Sequence, residues 1–365
     1  MRNVFGTVLT LTLFGESHGR SIGAVIDGMS PGVRVDEEYI REKLDQRRPS
    51  GRISPQRREA DSFEILSGVF RGYTTGSPIC IKIDNQDTKS GDYDEMRSVA
   101  RPSHADLTAY EKYGGFEDYR GGGHFSGRVT AALVAAGAIV MKALEDKGIR
   151  IGTHLFRCCS ISDRQFADYE QDIEKLSGLT FPVLDEEAAK AMTEAIEKIA
   201  SQGDSTGGIL ETAVTGLPAG AGEPWFDTVE SVIAHGIFSV PAVKGIEFGA
   251  GFAMADMRGS QANDPIRVSE GKFYTISNNN GGINGGITNG MPVIFRTVVK
   301  PTSSIYKEQQ TVDFKRKENT TLLIRGRHDP AIVHRARAVV DAVTAICLGD
   351  LLITRFGADY FRSQK

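Results

Sequence analysis

Residues 277–290 read SNNNGGINGGITNG and lead directly into residues 291–299, MPVIFRTVV, and then into KPTSS at residues 300–304. Glycine and asparagine tolerate positive φ, and glycine also lets the backbone come close to a ligand. A flexible linker has a similar composition, but linkers are seldom followed at once by an apolar, strand-like run. Residues 300–304 then supply one cation and three hydroxyl groups. Together with exposed backbone N–H groups, they favour an anion or cofactor site over a plain loop.

The same glycine spacing occurs earlier in the chain. Residues 68–78 (GVFRGYTTGSP) and residues 282–292 (GINGGITNGMP) share three glycines and a proline at equal separations, and each segment leads into a strand-like run. A weaker match joins residues 120–139 to residues 325–346, where a glycine-bearing turn enters a long, mostly apolar stretch. We interpret these matches as an internal repeat of about half the chain.

The repeat predicts an α+β fold in a single domain, residues 1–365, with pseudo-symmetric halves at about 1–150 and 204–365. Short strands joined by glycine turns favour antiparallel sheets, and the alanine-rich helices are apolar enough to lie between them. We therefore predict a β-α-β sandwich with antiparallel sheets around central helices. Residues 152–203 have no counterpart in the repeat, and we predict that they form a peripheral insertion.

Within this insertion, residues 185–202 predict an amphipathic helix. Met192, Ile196 and Ile199 fall on one side of it, and Gly203 follows as a stop signal. We consider this helix a candidate contact between subunits.

The composition is that of an ordinary soluble globular protein, with 40% hydrophobic residues, 25% charged residues and a net charge of −4. The chain is not basic enough to indicate nucleic acid binding. We find no apolar stretch of transmembrane length and no signal peptide pattern, so we expect a cytoplasmic protein. The four cysteines form neither a disulfide framework nor a zinc spacing, and the histidines show no metal-ligand spacing. We therefore expect reduced thiols and no metal site.

Histidines occur in three irregular segments: GESHG at residues 15–19, RPSHAD at 101–106 and RGRHDP at 325–330. Histidine is the side chain whose unperturbed pKa allows proton transfer near neutral pH, so these loops are candidates for catalysis. A structural role is an equal alternative for each histidine taken alone. Asp329, which precedes a proline, fits a helix N-cap equally well, and Ser126 can likewise cap the helix that follows it.

A cluster of positive charge lies in QRRPSGRISPQRRE at residues 46–59. Its five arginines have no acidic residue among them and are costly to crowd unless an anion binds, although a solvated basic loop is the alternative. Residues 15–19 have the GxSxG spacing of serine hydrolases, but they lead into a strand-like run and not into the helix that follows a nucleophile elbow. The chain lacks the phosphate-binding P-loop and the dinucleotide fingerprint. The residues alone therefore predict a pocket for a multiply anionic small molecule and do not identify it.

Several motifs of the chain also resemble those of a known protein family. The motifs FGESHG, QRRPSGR with QRRE, RPSHAD, EDYRGGG, GDSTGG, AVKGIEFGAGF, NNNGGINGGITNG, KPTSSI and RGRHDP resemble, in the same order, those of the chorismate synthases. The resemblance implies conversion of 5-enolpyruvylshikimate 3-phosphate to chorismate by 1,4-anti elimination of phosphate, the last common step of the shikimate pathway to the aromatic amino acids. It also implies a requirement for reduced FMN without net redox change, and a homotetramer.

The resemblance also implies roles for individual residues. His18, assisted by Ser17, would protonate the leaving phosphate, His104 would lie at the N1/C2-carbonyl edge of the reduced flavin, and Asp329 would lie near flavin N5. The substrate-binding residues would be Arg47, Arg48, Arg52, Arg101 and Arg327. The FMN-binding residues would be Arg47, Arg52, His124, Phe125, Ser126, Pro241, Ala242, Gly285, Lys300, Pro301, Thr302, Ser303, Ser304 and Arg327.

Two departures from the family pattern bear on these assignments. His124 stands where many members have an arginine, and the arginine loop is one residue shorter than in some members. Arg47 and Arg52 match positions that the family associates with NADP and substrate phosphate. NADPH is therefore a candidate reductant of the flavin, and an external supply of reduced flavin is the alternative.

Two other functions remain open from the residues alone. One is a non-catalytic binding module for an anionic metabolite, built from the same glycine and arginine loops. The other is a phosphate-ester hydrolase with Ser17 as nucleophile, which would need no flavin.

Overall fold

The computed structural model describes residues 3–49, 53, 61–86, 97–324, 326 and 328–363. The α-helices of this part are α1 (Glu37–Arg47), α2 (Asp106–Tyr113), α3 (Thr130–Glu145), α4 (Tyr169–Ser177), α5 (Glu186–Ser201), α6 (Val229–Phe238), α7 (Gly259–Ala262) and α8 (Val333–Phe356). The strands are β1 (Val4–Phe5), β2 (Thr10–Gly15), β3 (Ser21–Asp27), β4 (Phe63–Ser67), β5 (Val69–Phe70), β6 (Tyr73–Thr74), β7 (Ile79–Asp84), β8 (Arg150–Cys158), β9 (Ile161–Ser162), β10 (Gly208–Thr215), β11 (Val243–Phe248), β12 (Ile266–Ser269), β13 (Lys272–Thr275), β14 (Ile283–Asn284), β15 (Ile287–Thr288), β16 (Val293–Val299), β17 (Gln309–Asp313) and β18 (Glu318–Leu322).

Most strands belong to two five-stranded sheets. The first has the order β1-β2-β3-β7-β4, and the second has the order β11-β16-β10-β8-β9. All neighbouring strands in these sheets run antiparallel, which confirms the predicted mixture of helices with antiparallel sheets. The alternation of buried and less buried residues along β7 and β16 shows that one face of each strand packs on the core.

The two glycine-rich segments form the same local structure. In the earlier segment Val69 pairs with Thr74 across β5 and β6, and in the later one Ile283 pairs with Thr288 across β14 and β15. Each short hairpin precedes an inner strand, β7 or β16, that pairs on both sides. The two segments therefore share a hairpin and an inner strand after it, while a repeat of half the chain stays a prediction.

Helices α3 and α8 form the apolar centre. They pack against each other, α3 also contacts β3 and β7 of the first sheet, and α8 contacts β8 and β10 of the second. A Cβ on Gly137 of α3 would lie 2.5 Å from the Cβ of Ala342 of α8, so the two helices are in close backbone contact. Burial of nearly all of α3 explains why its sequence is apolar on every side.

This helix corrects one expectation from the sequence. With the turn before it, the segment Gly127–Glu145 is long and apolar enough to cross a membrane by length and composition. Its most apolar part is 83% buried inside the protein, so the segment has the properties of a core helix.

The predicted insertion also needs a correction. Its first residues belong to β8, an inner strand of the second sheet that pairs with both β10 and β9. Residues 152–158 are therefore part of the core and not peripheral. The expected amphipathic helix is present as α5, capped by Asp185, with Met192 and Ile196 buried.

Candidate active site

A cavity of about 730 Å³ opens between the turn before α3, the segment 97–109, the start of β11 and the residues after β16. This volume lies within the range of roughly 300–1,000 Å³ that small-molecule sites occupy. Four separate segments bring predicted site residues to its wall. They are Arg101, His104, His124, Phe125, Ser126, Pro241, Ala242, Lys300, Pro301, Thr302 and Ser303.

His104 is held at the cavity wall through both ring nitrogens. Its Nδ1 lies 3.1 Å from the carbonyl oxygen of Pro102, and its Nε2 lies 3.0 Å from the Oγ of Ser304. With Nδ1 donating to the carbonyl, Nε2 accepts from the hydroxyl group. Burial and the neighbouring guanidinium of Arg101 lower the pKa of His104, so this imidazole is neutral near pH 7.

The cavity wall also carries ammonium groups. The Nζ of Lys300 donates to the carbonyl oxygen of Ser103 at 2.6 Å, and Lys244 lies on the same wall. Burial and then the charge of Lys244 lower the pKa of Lys300. Two ammonium groups near one another favour an anion between or beside them.

The loop at residues 15–19 holds Ser17 and His18 against a glycine turn. The backbone N–H of Ser17 donates to the carbonyl oxygen of Gly123 at 3.1 Å, and its Oγ lies 3.0 Å from the Nδ1 of His18. A Cβ on Gly121 would lie 2.0 Å from the Cε1 of His18, so only glycine allows the ring to pack there. Gly121 lines the cavity but Ser17 and His18 do not, so the half-buried ring of His18 lies against the glycine turn and outside the cavity wall.

His124 joins the glycine turn to the loop at residues 15–19. Its Nδ1 lies 2.7 Å from the carbonyl oxygen of Gly15, to which it donates, while the side chain lines the cavity. The residue that departs from the family pattern therefore fixes the base of the loop that carries His18.

Ser126 caps a helix and also lines the cavity. Its Oγ accepts a hydrogen bond from the backbone N–H of Arg128 at 3.3 Å, at the start of the 3₁₀ turn Gly127–Val129 that leads into α3. The capping role that we considered as an alternative is therefore present. Because Gly127 is also in the cavity wall, the positive end of this helical segment lies beside the space where an anion would bind.

The predicted arginine clamp is only partly at the cavity. Arg101 lines it and holds Asp106 in a bidentate pair, with Nε and Nη2 at 2.8 and 2.7 Å from the carboxylate oxygens. Hydrogen bonds and charge from Arg101 outweigh burial and lower the pKa of Asp106. Arg52 and Arg327 lie outside the described residues, and their roles remain predictions.

Arg47 and Arg48 end helix α1 and do not line the cavity. Arg47 is buried with an Nη1 3.8 Å from a carboxylate oxygen of Asp61, and Arg48 pairs with Asp45 at 2.9 Å. Both acids lie just outside the arginine run, so the charges of Arg47 and Arg48 have partners within the chain. The assignment of these two arginines to substrate or cofactor stays a prediction.

Asp329 does not line the cavity. Its carboxylate accepts from the backbone N–H of Ala331 at 3.1 Å and from Arg335 at 2.8 to 2.9 Å. The N-cap residue of α8 is Ile332, so the alternative that Asp329 is the helix N-cap is wrong. Burial raises its pKa, although Arg335 opposes this effect. Asp329 shares a small pocket of about 40 Å³ with Ser304, whose hydroxyl reaches His104.

Gly285 lies at the turn between β14 and β15, at the far end of β16 from Lys300. A strand of seven residues spans roughly 23 Å, at about 3.3 Å per residue. Within one chain, the glycine-rich segment therefore does not join residues 300–304 in a single cradle, and a flavin contact from Gly285 stays a prediction.

Several cavity residues were missed from the sequence. Arg97 lies in the wall with its guanidinium carbon 4.9 Å from the ring centre of Tyr119, and Lys244 follows the predicted Pro241 and Ala242 closely in the chain. Lys244 could have been found because it lies in a motif already singled out, AVKGIEFGAGF. Glu117 lies in EDYRGGG, but nothing in that motif shows that its carboxylate faces this space.

Comparison with known proteins agrees with this site. The profile of the chorismate synthase family matches residues 9–353. The chain belongs to the chorismate synthase family. It is 45% identical to the chorismate synthase of Thermococcus kodakarensis over 350 residues, covering 96% of this chain and 97% of the relative. It is 46% identical to that of Dehalococcoides mccartyi over 356 residues, covering 97% of each. A crystal structure of a chorismate synthase matches with a TM-score of 0.78 at 31% identity, covering 97% of this chain and 94% of the other.

Proposed function

We propose that this protein converts 5-enolpyruvylshikimate 3-phosphate to chorismate by 1,4-anti elimination of phosphate, with reduced FMN as cofactor. Membership in the chorismate synthase family along nearly the whole chain supports the reaction. The structural observation that carries the proposal is the cavity of about 730 Å³, whose wall combines His104 and two lysines with the glycine turn that contacts His18. The reaction needs these elements together: an anion-binding surface and groups that can hold and move protons.

The substrate carries a phosphate and two carboxylates, and the cavity wall offers matching positive charge. Arg97, Lys244 and Lys300 contribute cationic side chains, and the start of the helical segment before α3 adds backbone N–H groups. Breaking the carbon–oxygen bond moves negative charge onto the departing phosphate. Cations fixed near that charge lower the barrier because they need not reorganise during the reaction.

His18 is the proton donor that we propose for the departing phosphate. Its ring is fixed by the hydroxyl of Ser17, which lies beside Nδ1 of His18. The same hydroxyl donates its proton to the carbonyl oxygen of Arg120 at 3.2 Å. The hydroxyl thus ties the orientation of the imidazole to the turn that lines the cavity. General acid catalysis of this kind contributes about 10²- to 10⁴-fold to the rate.

The cavity wall has the polar atoms that a bound flavin would satisfy. Within the described residues, the hydroxyl of Thr302 and one carboxylate oxygen of Glu117 are buried without a hydrogen-bond partner. Such buried polar atoms are costly, so both suggest a bound group. Reduced FMN supplies transient electron donation that lets elimination proceed without net redox change. The residues that would hold it are His124, Phe125, Ser126, Pro241, Ala242, Lys300, Pro301, Thr302 and Ser303.

His104 and Asp329 have separate roles in this proposal. His104, neutral because its pKa is lowered, would set the protonation of the reduced flavin at N1. Asp329 would assist removal of the C6 proton from behind Ser304, with its raised pKa making it a better base than an exposed aspartate. Ser304 supports a link between the two residues, because its hydroxyl contacts His104 and it shares the small pocket with Asp329.

We also propose several properties that rest on family resemblance. They are a homotetramer and NADPH as a possible source of electrons for the flavin. We propose a cytoplasmic location from the sequence patterns, and from the internal repeat a pseudo-twofold relation between the two halves of one domain. The matching hairpins and the sheet orders support the last of these. A subunit contact through α5 has less support, because its Met192 and Ile196 are already buried in their own chain.

An anaerobic turnover assay tests the reaction. The protein is mixed with 5-enolpyruvylshikimate 3-phosphate and reduced FMN, oxidised FMN or no flavin, and both phosphate and chorismate are measured. We expect both products only with reduced FMN. Phosphate without chorismate and without flavin would indicate the hydrolase, and tight binding without turnover would indicate the binding module. Adding NADPH to oxidised FMN then shows whether the protein reduces its own flavin.

A further inference from the structure

Asn85, the residue after β7, holds the loop that carries His18 through contacts separate from those of the glycine turn. Its side-chain Nδ2 donates to the carbonyl oxygens of Glu16 and Gly19, both at 2.9 Å. Its backbone N–H donates to the carbonyl oxygen of Arg20 at 3.1 Å. One residue thus bonds to the backbone before His18 and to the backbone after it.

The acceptor of the same side chain is also in use. The Oδ1 of Asn85 accepts from the Nε of Arg128 at 3.2 Å. This interaction fixes which way the amide points, because only the amide nitrogen can then face the two loop carbonyls. Asn85 therefore links the His18 loop to the residues that start α3.

Arg128 is itself firmly held. Its guanidinium pairs with the carboxylate of Asp61, and both side chains are almost fully buried. The Nη2 of the buried Arg47 approaches the carbonyl oxygen of Arg128 at 3.4 Å. The base on which Asn85 rests is thus a packed ionic cluster, in contrast to the half-buried loop that it supports.

We infer that Asn85 is a positioning residue for His18. It does not line the cavity, and it acts by fixing both ends of the short segment from Glu16 to Gly19. The glycine turn holds the same segment from the cavity side through Ser17. With one side released, the imidazole keeps its contact with Ser17 but loses a fixed position relative to the cavity.

The inference rests on the proposed function for its catalytic consequence. Displacement of a catalytic group by about 1 Å can reduce a rate by about 100-fold without any loss of ligand binding. We therefore expect Asn85→Ala to lower kcat by about 10- to 100-fold and to leave KM and the affinity for FMN within about twofold.

Asn85→Asp separates two ways in which the side chain could act. Aspartate keeps an acceptor for Arg128 but has no amide to donate to Glu16 and Gly19. If the loop is what matters, Asn85→Asp loses kcat as Asn85→Ala does. Retention of kcat in Asn85→Asp would mean that only the orientation of Arg128 matters, and would overturn the inference.

Thr74→Val is the matched control for a purely structural effect. The Thr74 hydroxyl also braces a loop, donating to the carbonyl oxygen of Ser30 at 2.6 Å and accepting from the backbone N–H of Val33 at 2.9 Å, and it is not part of the cavity wall. We expect this variant to lose thermal stability but to keep kcat. Equal loss of kcat in the Thr74 and Asn85 variants would contradict a positioning role.

Hydrogen–deuterium exchange gives a readout that does not depend on turnover. Backbone amides of residues 16–20 should exchange at least severalfold faster in Asn85→Ala than in the wild type. Their exchange should be unchanged in Thr74→Val. If the wild type makes no chorismate, the proposed function fails, and the exchange result still decides whether Asn85 holds the loop. Unchanged exchange in Asn85→Ala would overturn the inference.

Discussion

Histidines in two regions of this protein contrast in their partners. His154, in the second sheet, is fully buried with Nδ1 2.7 Å from Asp163 and Nε2 3.1 Å from Glu211. Burial alone would lower its pKa, but the two carboxylates outweigh burial and raise it. His104, at the cavity, has a carbonyl group and a hydroxyl group as partners, and burial with Arg101 lowers its pKa.

The contrast shows how a structural histidine differs from a candidate catalytic one. Two buried carboxylates hold a proton on His154 and leave it no exchange with a ligand. Neutral partners and neighbouring cations at the cavity allow the proton to move. The kind of partner and the access to a cavity therefore say more about the role of a histidine than burial does.

Replacement of His18 should give the largest effect on activity. We expect His18→Ala to lower kcat by about 10²- to 10⁴-fold, because the leaving phosphate loses its proton donor. The melting temperature should change by no more than a few degrees, since the ring is only half-buried. Steady-state kinetics and thermal unfolding check this. Activity within tenfold of the wild type would remove His18 from the mechanism.

Replacement of His154 should have the opposite pattern. His154→Ala leaves Asp163 and Glu211 buried without their shared partner, although Arg296 still pairs with Glu211 at 2.8 Å. Removing one member of a buried ionic group costs about 3–5 kcal/mol of folding free energy. Urea unfolding should show this loss, while kcat per folded molecule stays near that of the wild type. A loss of kcat with unchanged stability would reverse the distinction between the two regions.

A pair of glycine variants tests the contact between the glycine turn and His18. Gly121 and Gly122 both have positive φ, at 59° and 89°, so alanine strains the backbone at either position. Only a Cβ on residue 121 meets His18, whereas the nearest atoms to a Cβ on residue 122 are 3.9 Å away. We expect Gly121→Ala to lower kcat by about 10- to 100-fold through displacement of His18, and Gly122→Ala to have a clearly smaller effect. Equal kinetic losses would show that backbone strain alone is responsible.

His334 adds a third kind of histidine, and pH reveals it. Burial lowers its pKa from 6.5 to about 4, with further help from Arg335 and opposition from a backbone hydrogen bond. The folded protein therefore resists protonation that the unfolded chain accepts, and stability is lost as pH falls from 6.5 towards 4. Between pH 7 and pH 5 this amounts to about 2 kcal/mol, at about 1.4 kcal/mol per pH unit.

The measurement is urea unfolding of the wild type and His334→Gln at both pH values. The variant should lose less stability on acidification, by about 2 kcal/mol, because it lacks the titrating group. His154, whose pKa is raised, contributes in the other direction, with stability lost as pH rises through its folded pKa. Identical pH dependence in the wild type and His334→Gln would contradict the assignment of His334 as a buried neutral imidazole.

The sequence predicted the local features well. The glycine spacings at residues 68–78 and 282–292 predicted two similar turns that each lead into a strand, and in the structure both segments form short hairpins. Such turns depend on a few residues with positive φ. The amphipathic pattern gave α5 with its buried Met192 and Ile196. Motif resemblance supplied 11 of the 34 residues that line the cavity.

The remaining features depend on contacts between distant parts of the chain. Strand β8 looked like the start of an insertion because residues 152–203 have no counterpart in the sequence repeat. In the structure the strand lies inside the second sheet. Asn85 is an ordinary residue at the end of a strand until folding places it beside Glu16 and Gly19. The counter-charge that Asp61 offers to Arg47 comes from beyond the arginine run.

The proposed site is tested by a crystal structure with FMN and the substrate bound. We expect flavin density in the cavity of about 730 Å³, with Thr302 and Glu117 gaining partners and His18 facing the phosphate of the substrate. Flavin bound away from this cavity, with Thr302 and Glu117 still without partners, would show that the proposed site is wrong.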